Sequence, residues 1–140
     1  MRFKKLAALG ATAVMLMSMS LTSVSAANIK NTSWNFNIDW SHNSVITDLR
    51  EKTNSSAVYA KYTDGTAGSV SFDVLNSEKQ SMCKKTGGLA KGQEGRIAQY
   101  VYENGFRWCH LKVTAPFASY GGAGGVWSPD CAGSYPYINL

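Results

Sequence analysis

Apolar and polar residues alternate strictly over residues 33–41, which read S-W-N-F-N-I-D-W-S. A period of two residues is typical of a β-strand that buries one face. The pattern predicts a strand here, with four large apolar side chains on its buried face: Trp34, Phe36, Ile38 and Trp40. A row of aromatic rings can also serve as a stacking platform for a ligand, but burial is the ordinary fate of large apolar side chains.

Residues 99–113 predict a β-hairpin. Asn104-Gly105 separates two runs rich in Val, Tyr, Phe and Trp, and both residues tolerate the positive φ of a two-residue type I′ turn. The register set by this turn gives the hairpin two faces. The expected core face carries Ala98, Tyr100, Tyr102, Cys109, Leu111 and Val113. The opposite face is mixed and includes Val101, Phe106, Trp108 and His110.

The remaining segments predict further short strands joined by turns. Residues 57–63 and 66–75 predict a second hairpin around Asp64-Gly65, and residues 45–51 a short strand. Residues 76–94 are polar and predict a long loop, while the glycine-rich residues 118–125 predict a flexible connection. Trp127-Ser-Pro-Asp follows as a short strand and turn, and residues 133–140 are apolar enough to dock.

No segment shows the period of a helix. Six or seven short strands in one chain of this length predict an all-β fold, an antiparallel β-sandwich or a small barrel.

The first 26 residues have the three parts of a signal peptide: a basic start, an apolar run, and the small residues Val24-Ser25-Ala26 before a cleavage point. Removal of residues 1–26 leaves a single secreted domain, residues 27–140. It also removes Arg2, Lys4 and Lys5, so the formal net charge falls from +5 to +2. No other segment is apolar enough to span a bilayer, so we expect no membrane association of the mature chain.

Three cysteines remain in the mature chain, Cys83, Cys109 and Cys131. An oxidising compartment favours one disulfide among the three possible pairings. A strand near residues 126–131 that runs antiparallel to residues 106–115 would bring Cys131 near Cys109, so this pair is the favoured disulfide. Cys83 would then be free, or would join two chains in a dimer.

The sequence shows no arrangement of residues that points to a particular reaction. Cys109 and His110 are neighbours in sequence, but successive side chains of a strand point to opposite faces, so neither activates the other. The cysteine and aspartate spacings match neither a zinc site nor a calcium loop, so no metal and no cofactor are expected. Scattered lysines give no basic stripe, which argues against nucleic-acid binding. We therefore expect a protein that is not an enzyme.

The mixed face of the first predicted hairpin is the candidate binding surface. Val101, Phe106, Trp108 and His110 would form an aromatic patch with a polar rim, which is a composition suited to a partner. The alternative is that another strand covers this face.

Three stretches, taken in order, resemble a family of small exported bacterial proteins of unknown function, mostly from Gram-positive species. They are R-E-K-T-N-S-S-A-V-Y from residue 50, the stretch from Gly92 that ends in Y-V-Y-E-N-G-F, and G-V-W-S-P-D from residue 125. The resemblance implies a secreted β-rich domain and supplies no catalytic residues. It also implies a loose association with peptide-export or bacteriocin loci.

The sequence suggests two main functions, a binding module and an antimicrobial protein. The chain is expected to be a secreted, non-enzymatic interaction module that binds an unknown protein or an envelope glycan. The alternative is a secreted antimicrobial or bacteriocin-like protein, suggested by small size, glycine content and mild positive charge. A hydrolase is the third hypothesis, and it requires a cleft with convergent polar groups.

Overall fold

Residues 26–117 and 119–140 are described by the computed structural model of the protein. All of the predicted signal peptide except Ala26 therefore lies outside the described residues. Nine strands follow in chain order: β1 (Thr32–Ile38), β2 (Ser44–Ile46), β3 (Arg50–Glu51), β4 (Val58–Gly65), β5 (Ser69–Asn76), β6 (Gly87–Ala90), β7 (Glu94–Ile97), β8 (Trp108–Thr114) and β9 (Gly121–Ser128).

The nine strands form two antiparallel sheets. The first has the order β1-β9-β4-β7, and the second the order β2-β8-β5-β6, with β3 also paired to β8. One core lies between them and takes side chains from both sheets, among them Trp34, Tyr62, Phe72, Leu111 and Trp127. The predicted all-β class is confirmed, as a sandwich. Within the described part of the chain, no helix is long and apolar enough to span a membrane.

The first predicted strand is confirmed, but it ends earlier than the alternation suggests. β1 ends at Ile38. Within the strand, Trp34 and Ile38 are buried and Phe36 is half-buried. Trp34 reaches across the core to the other sheet and meets the ring of Phe72 edge-on, with 5.7 Å between the centroids. Trp40 lies beyond the strand and is exposed.

The predicted hairpin over residues 99–113 is wrong. Its second arm is β8, which pairs with β2, β3 and β5, but its first arm forms no strand. Asn104 and Gly105 do lie in a turn, since their amides donate to the carbonyls of Tyr100 and Tyr102 at 3.0 Å each. This turn connects β7 in the first sheet to β8 in the second, so it is a crossover between sheets.

The second predicted hairpin fails for the same reason. Both of its strands exist, as β4 and β5, but β4 pairs with β7 and β9 in one sheet and β5 with β6 and β8 in the other. Gly65 is needed there for space, because a Cβ at this position would stand 2.5 Å from both the Gly122 carbonyl oxygen and the Tyr62 hydroxyl. The segment predicted as a long loop also contains a strand, β6.

The glycine-rich segment is a central strand, contrary to the predicted flexible connection. β9 pairs with β1 on one side and with β4 on the other. At Gly125 an added Cβ would overlap the Lys61 carbonyl oxygen and would lie 2.7 Å from the Trp34 ring. Glycine therefore lets two backbones and an indole pack closely at this point of the sheet.

All three cysteines are free thiols in the structure. The expected Cys109–Cys131 disulfide is not formed, because β9 belongs to the first sheet and does not run beside β8. Cys109 is fully buried on the core face of β8, whereas the half-buried Cys131 directs its Sγ to the Gly133 carbonyl at 3.5 Å. A dimer through the half-buried Cys83 stays a prediction.

Candidate binding surface

The four residues predicted to form a binding surface do not share one. Val101 is fully buried, and Phe106 is half-buried and packs against the core. His110 is half-buried, with its Nδ1 2.7 Å from the Thr47 carbonyl oxygen. Only Trp108 is exposed, at 46 %. The separation follows from the missing hairpin, since Val101 and Phe106 lie in the crossover turn and Trp108 and His110 on β8.

Three exposed aromatic side chains lie instead on loops at one end of the sandwich. Phe117 is 91 % exposed, Trp40 81 % and Tyr120 62 %, which places them among the most exposed large apolar side chains of the described residues. Trp40 lies in the loop between β1 and β2, and the other two in the loop between β8 and β9. We call these three residues the aromatic tip.

Backbone pairing holds the two loops side by side. Ile38, which ends β1, pairs with Gly121, which begins β9, and Ser44 of β2 pairs with Thr114 of β8. Between these pairs the Ala115 amide donates to the Asn43 carbonyl at 2.7 Å. The loop that carries Trp40 therefore leaves and re-enters the sandwich beside the loop that carries Phe117 and Tyr120.

The Trp40 loop is tightly folded. The amides of Asp39 and His42 each donate to the other's carbonyl, at 2.9 and 3.2 Å. The Asp39 carboxylate also accepts from the Ser41 hydroxyl and from the Ser41 amide, both at 2.8 Å. These hydrogen bonds, the hydroxyl bond first, lower the pKa of Asp39 to about 2, so the carboxylate stays charged. Trp40 is thus presented from a turn with a fixed backbone.

A groove of about 610 Å³ lies beside the aromatic tip, and its lining mixes polar residues with Phe36, Ala123 and glycines. Gly122 and Gly124 are among the residues that line it, together with Asn35, Asn37, Asp64, Thr66 and Lys91. Asp64 and Lys91 form an exposed ion pair with 3.1 Å between Oδ1 and Nζ, and the Lys91 hydrogen bond lowers the pKa of Asp64. The hydroxyl of Thr66 donates to the Tyr120 carbonyl, which ties the groove to the tip.

A buried ion pair lies at the opposite end of the sandwich. The Lys52 Nζ is 2.7 Å from the Asp130 Oδ1, and both side chains are fully buried. Lys52 also donates to the carbonyls of Ser56 and Pro129, each at 2.7 Å, so all three of its donors are used. An ammonium has three N–H donors, and each of them pairs with one of these three acceptors.

The other carboxylate oxygen of Asp130 is equally well paired. It accepts from the Thr53 hydroxyl at 2.6 Å and from the backbone amide of Asn28 at 2.7 Å. Burial by itself raises the pKa of Asp130, but the hydrogen bonds from Lys52, Thr53 and Asn28 outweigh it and lower the pKa below its ordinary value. Asp130 is therefore a charged, stabilising group and not a proton donor at neutral pH.

Arg50 joins this ion pair to the start of the described chain. Its guanidinium donates to the carbonyls of Trp127 and Lys30, at 3.0 and 2.6 Å, and lies 5.2 Å from the centroid of the Trp127 ring. We call Asn28, Arg50, Lys52, Thr53 and Asp130 the polar cluster. It is the meeting point of R-E-K-T and W-S-P-D, two of the stretches that carry the family resemblance.

The charged groups of the polar cluster are engaged with one another. The hydrogen-bonding capacity of Lys52 is filled and Asp130 is held as the anion, and the nearby Cys109 thiol is kept protonated because burial raises its pKa to about 12. In the described part of the chain, no three His, Cys, Asp or Glu side chains come together as metal ligands would. The hydrogen bonds of the polar cluster connect segments that are distant in the sequence, which is typical of a structural role.

These observations define a two-sheet β-sandwich with exposed aromatic loops at one end and a buried polar cluster at the other. The chain belongs to a family described as "Protein of unknown function (DUF2712)", whose model matches residues 22–131. The match includes both halves of the polar cluster and the whole aromatic tip, and it ends before residues 132–140. No match was found among curated proteins, nor among solved structures.

Proposed function

We propose that the protein is an exported, non-enzymatic binding module that recognises an envelope glycan through the aromatic tip and the groove beside it. The observation that carries the proposal is the presence of three aromatic side chains, each more than 60 % exposed, on two loops held side by side. Leaving such side chains in water is unfavourable, and a cluster of them marks a surface that is covered in the working state.

The neighbouring groove favours a carbohydrate as the ligand. Sugar rings have apolar faces that stack on aromatic rings, and hydroxyls that pair with amides and carboxylates. The groove supplies such groups in Asn35, Asn37 and Asp64, and Lys91 adds a cation. Trp40 and Tyr120 suit this use because a large ring and a polar atom belong to the same side chain.

Binding of residues 27–140 to purified cell-wall glycan tests the proposal. We expect Trp40→Ala, Phe117→Ala and Tyr120→Ala each to weaken binding about fivefold or more, since an interface anchor contributes over about 1 kcal/mol. Trp108→Ala is the matched control, because Trp108 is an exposed tryptophan outside the tip. If Trp108→Ala weakened binding as much as Trp40→Ala, the tip would not be the site.

The antimicrobial alternative is favoured by one observation, the 91 % exposure of Phe117. Phenylalanine has no polar atom to pair with a sugar hydroxyl, whereas it inserts readily into a bilayer interface. Leakage of dye-filled vesicles of phosphatidylcholine and phosphatidylglycerol tests this use. Leakage that is lost in Phe117→Ala, with glycan binding absent, would replace the glycan proposal with membrane action.

A further inference from the structure

The final segment of the chain is bound to the body of the sandwich as an added strand. The Arg96 amide donates to the Pro136 carbonyl at 2.9 Å, and the Ile138 amide donates to the Arg96 carbonyl at 3.0 Å. The segment thus forms a parallel bridge between Tyr137 and Arg96 on β7, which is an edge strand of the first sheet. Addition of an extended peptide to a sheet edge is a recurrent mode of peptide recognition.

Asn139 extends this pairing with its side chain. Its Oδ1 accepts from the Ala98 amide at 2.8 Å, and its Nδ2 donates to the Ala98 carbonyl at 2.9 Å and to the Lys85 carbonyl at 3.1 Å. An amide presents this combination of one acceptor and two donors, and a carboxylate does not. Asn139 itself is 6 % exposed, and the three bonds are partly buried.

Two glycines make room for the segment. A Cβ on Gly95 would overlap the Ile138 side chain, and a Cβ on Gly87 would overlap the Ile138 backbone. Gly88, which stands next to Gly87, differs because a Cβ there would lie 3.5 Å from the Val70 carbonyl oxygen, an ordinary contact. Gly87, Gly95 and the β7 edge together define what we call the edge groove.

The edge groove and its occupant differ in one further respect. Gly87, Gly95 and Arg96 lie inside the part of the chain that the family's model matches, whereas residues 136–139 lie outside it. The receiving surface therefore lies within the matched residues, and the segment that fills it lies beyond them.

We propose that the edge groove is a peptide-binding site, that it takes extended peptides with an aliphatic residue followed by asparagine, and that residues 136–139 occupy it as a tethered ligand. A peptide in solution must compete with this ligand. The tether gives the bound segment an effective concentration in the millimolar range, so external peptides bind well only when the tether is weakened. This site is separate from the aromatic tip, and the glycan proposal does not depend on it.

Asn139→Asp in the chain of residues 27–140 weakens the tethered ligand with little change of shape. The carboxylate would face the carbonyls of Ala98 and Lys85 with no proton to donate. We expect a labelled peptide of residues 133–140 to bind this variant at least about tenfold more tightly than it binds the unchanged chain. The same peptide with aspartate in place of asparagine is the matched control and should bind neither chain.

Two glycine variants locate the bound peptide. In the Asn139→Asp background, Gly95→Val should abolish peptide binding, while Gly88→Ala should leave the affinity within about twofold, because only the first closes the groove. A folded Asn139→Asp chain that does not bind the peptide would overturn the proposal. So would binding that survives Gly95→Val.

Hydrogen exchange on the unchanged chain tests the proposal even if Asn139→Asp does not fold. A tethered ligand detaches without unfolding the sheets, so the amides of Arg96, Ala98 and Ile138 should exchange at least about tenfold faster than the core amide of Ala60. Exchange of all four amides at one common rate would mean that the segment opens only with global unfolding. In that case it is an integral strand, and the proposal fails.

Discussion

The two ends of the sandwich treat their side chains in opposite ways. At one end, the polar cluster buries an ammonium and a carboxylate and pairs each of them fully, and Asp130 has no exposed surface. At the other end, the aromatic tip leaves Trp40 and Phe117 almost wholly in water. The polar cluster thus buries charged groups in a position usual for apolar ones. The aromatic tip exposes apolar groups in a position usual for charged ones.

This contrast separates stability from binding. The polar cluster links Asn28, Arg50 and Asp130, which are far apart in the sequence, and all three donors of its Lys52 are used within the fold. The side chains of the aromatic tip are mostly exposed, so we expect their replacement to cost the fold little. We therefore expect mutations at the two ends to change different measurements.

The largest effect is expected from breaking the ion pair. Lys52→Met leaves the Asp130 carboxylate buried without its partner, which should lower the free energy of unfolding by about 3–5 kcal/mol. Urea denaturation monitored by tryptophan fluorescence measures it. The double variant Lys52→Met/Asp130→Leu should recover part of the loss, because the unpaired charge is gone while the carbonyls of Ser56 and Pro129 still lack a donor. A loss below about 1 kcal/mol for Lys52→Met would contradict the structural role.

Acid sharpens the same contrast. The pKa of Asp130 in the folded chain is below the ordinary aspartate value of about 3.9, so its contribution to stability is fully present above about pH 4. It is lost as the pH falls through the lower folded-state pKa. We expect the free energy of unfolding to decrease below pH 4, by less than in Lys52→Met at neutral pH. Lys52→Met/Asp130→Leu should show a flatter profile, and an equal slope in both chains would assign the effect to other carboxylates.

The smallest effect concerns the thiols. Burial raises the pKa of Cys109 and of Cys83 to about 12, and only Cys109 is fully shielded from solvent. Iodoacetamide should therefore modify Cys109 at least about 100-fold more slowly than Cys131, because a core thiol reacts only after the fold opens. Mass spectrometry of digested samples gives the three rates. A Cys109–Cys131 bridge in the unreduced protein would contradict their placement.

The class of the fold and many of its strands follow from local patterns, but their partners do not. Alternation over residues 33–41 and 66–75 marks β1 and β5, because each strand buries one face. Turn residues such as Asp64-Gly65 and Asn104-Gly105 do not say whether the next strand joins the same sheet or the opposite one. Both were expected to close hairpins, and both lie at crossovers.

The functional ends were harder to predict. Trp40 continues the alternation of β1, so only the observed end of the strand at Ile38 shows that it leaves the core. Lys52 and Asp130 are 78 residues apart, and nothing in their spacing brings them together. The R-E-K-T and W-S-P-D stretches both carry the family resemblance, and this was the available sequence signal that linked the two residues. The glycines of β9 were predicted to form a flexible connection. Their actual role, close packing against a ring and a neighbouring backbone, depends on residues elsewhere in the fold and is not visible in the local sequence.

A titration of labelled protein with soluble cell-wall glycan fragments, followed by amide chemical shifts, tests the division most directly. We predict shifts at residues 39–43, 64–66, 115–117 and 119–122, and unchanged signals at residues 50–56 and 127–131. Shifts confined to residues 50–56 and 127–131 would contradict the account, because the ligand would then bind at the end that we assign to stability.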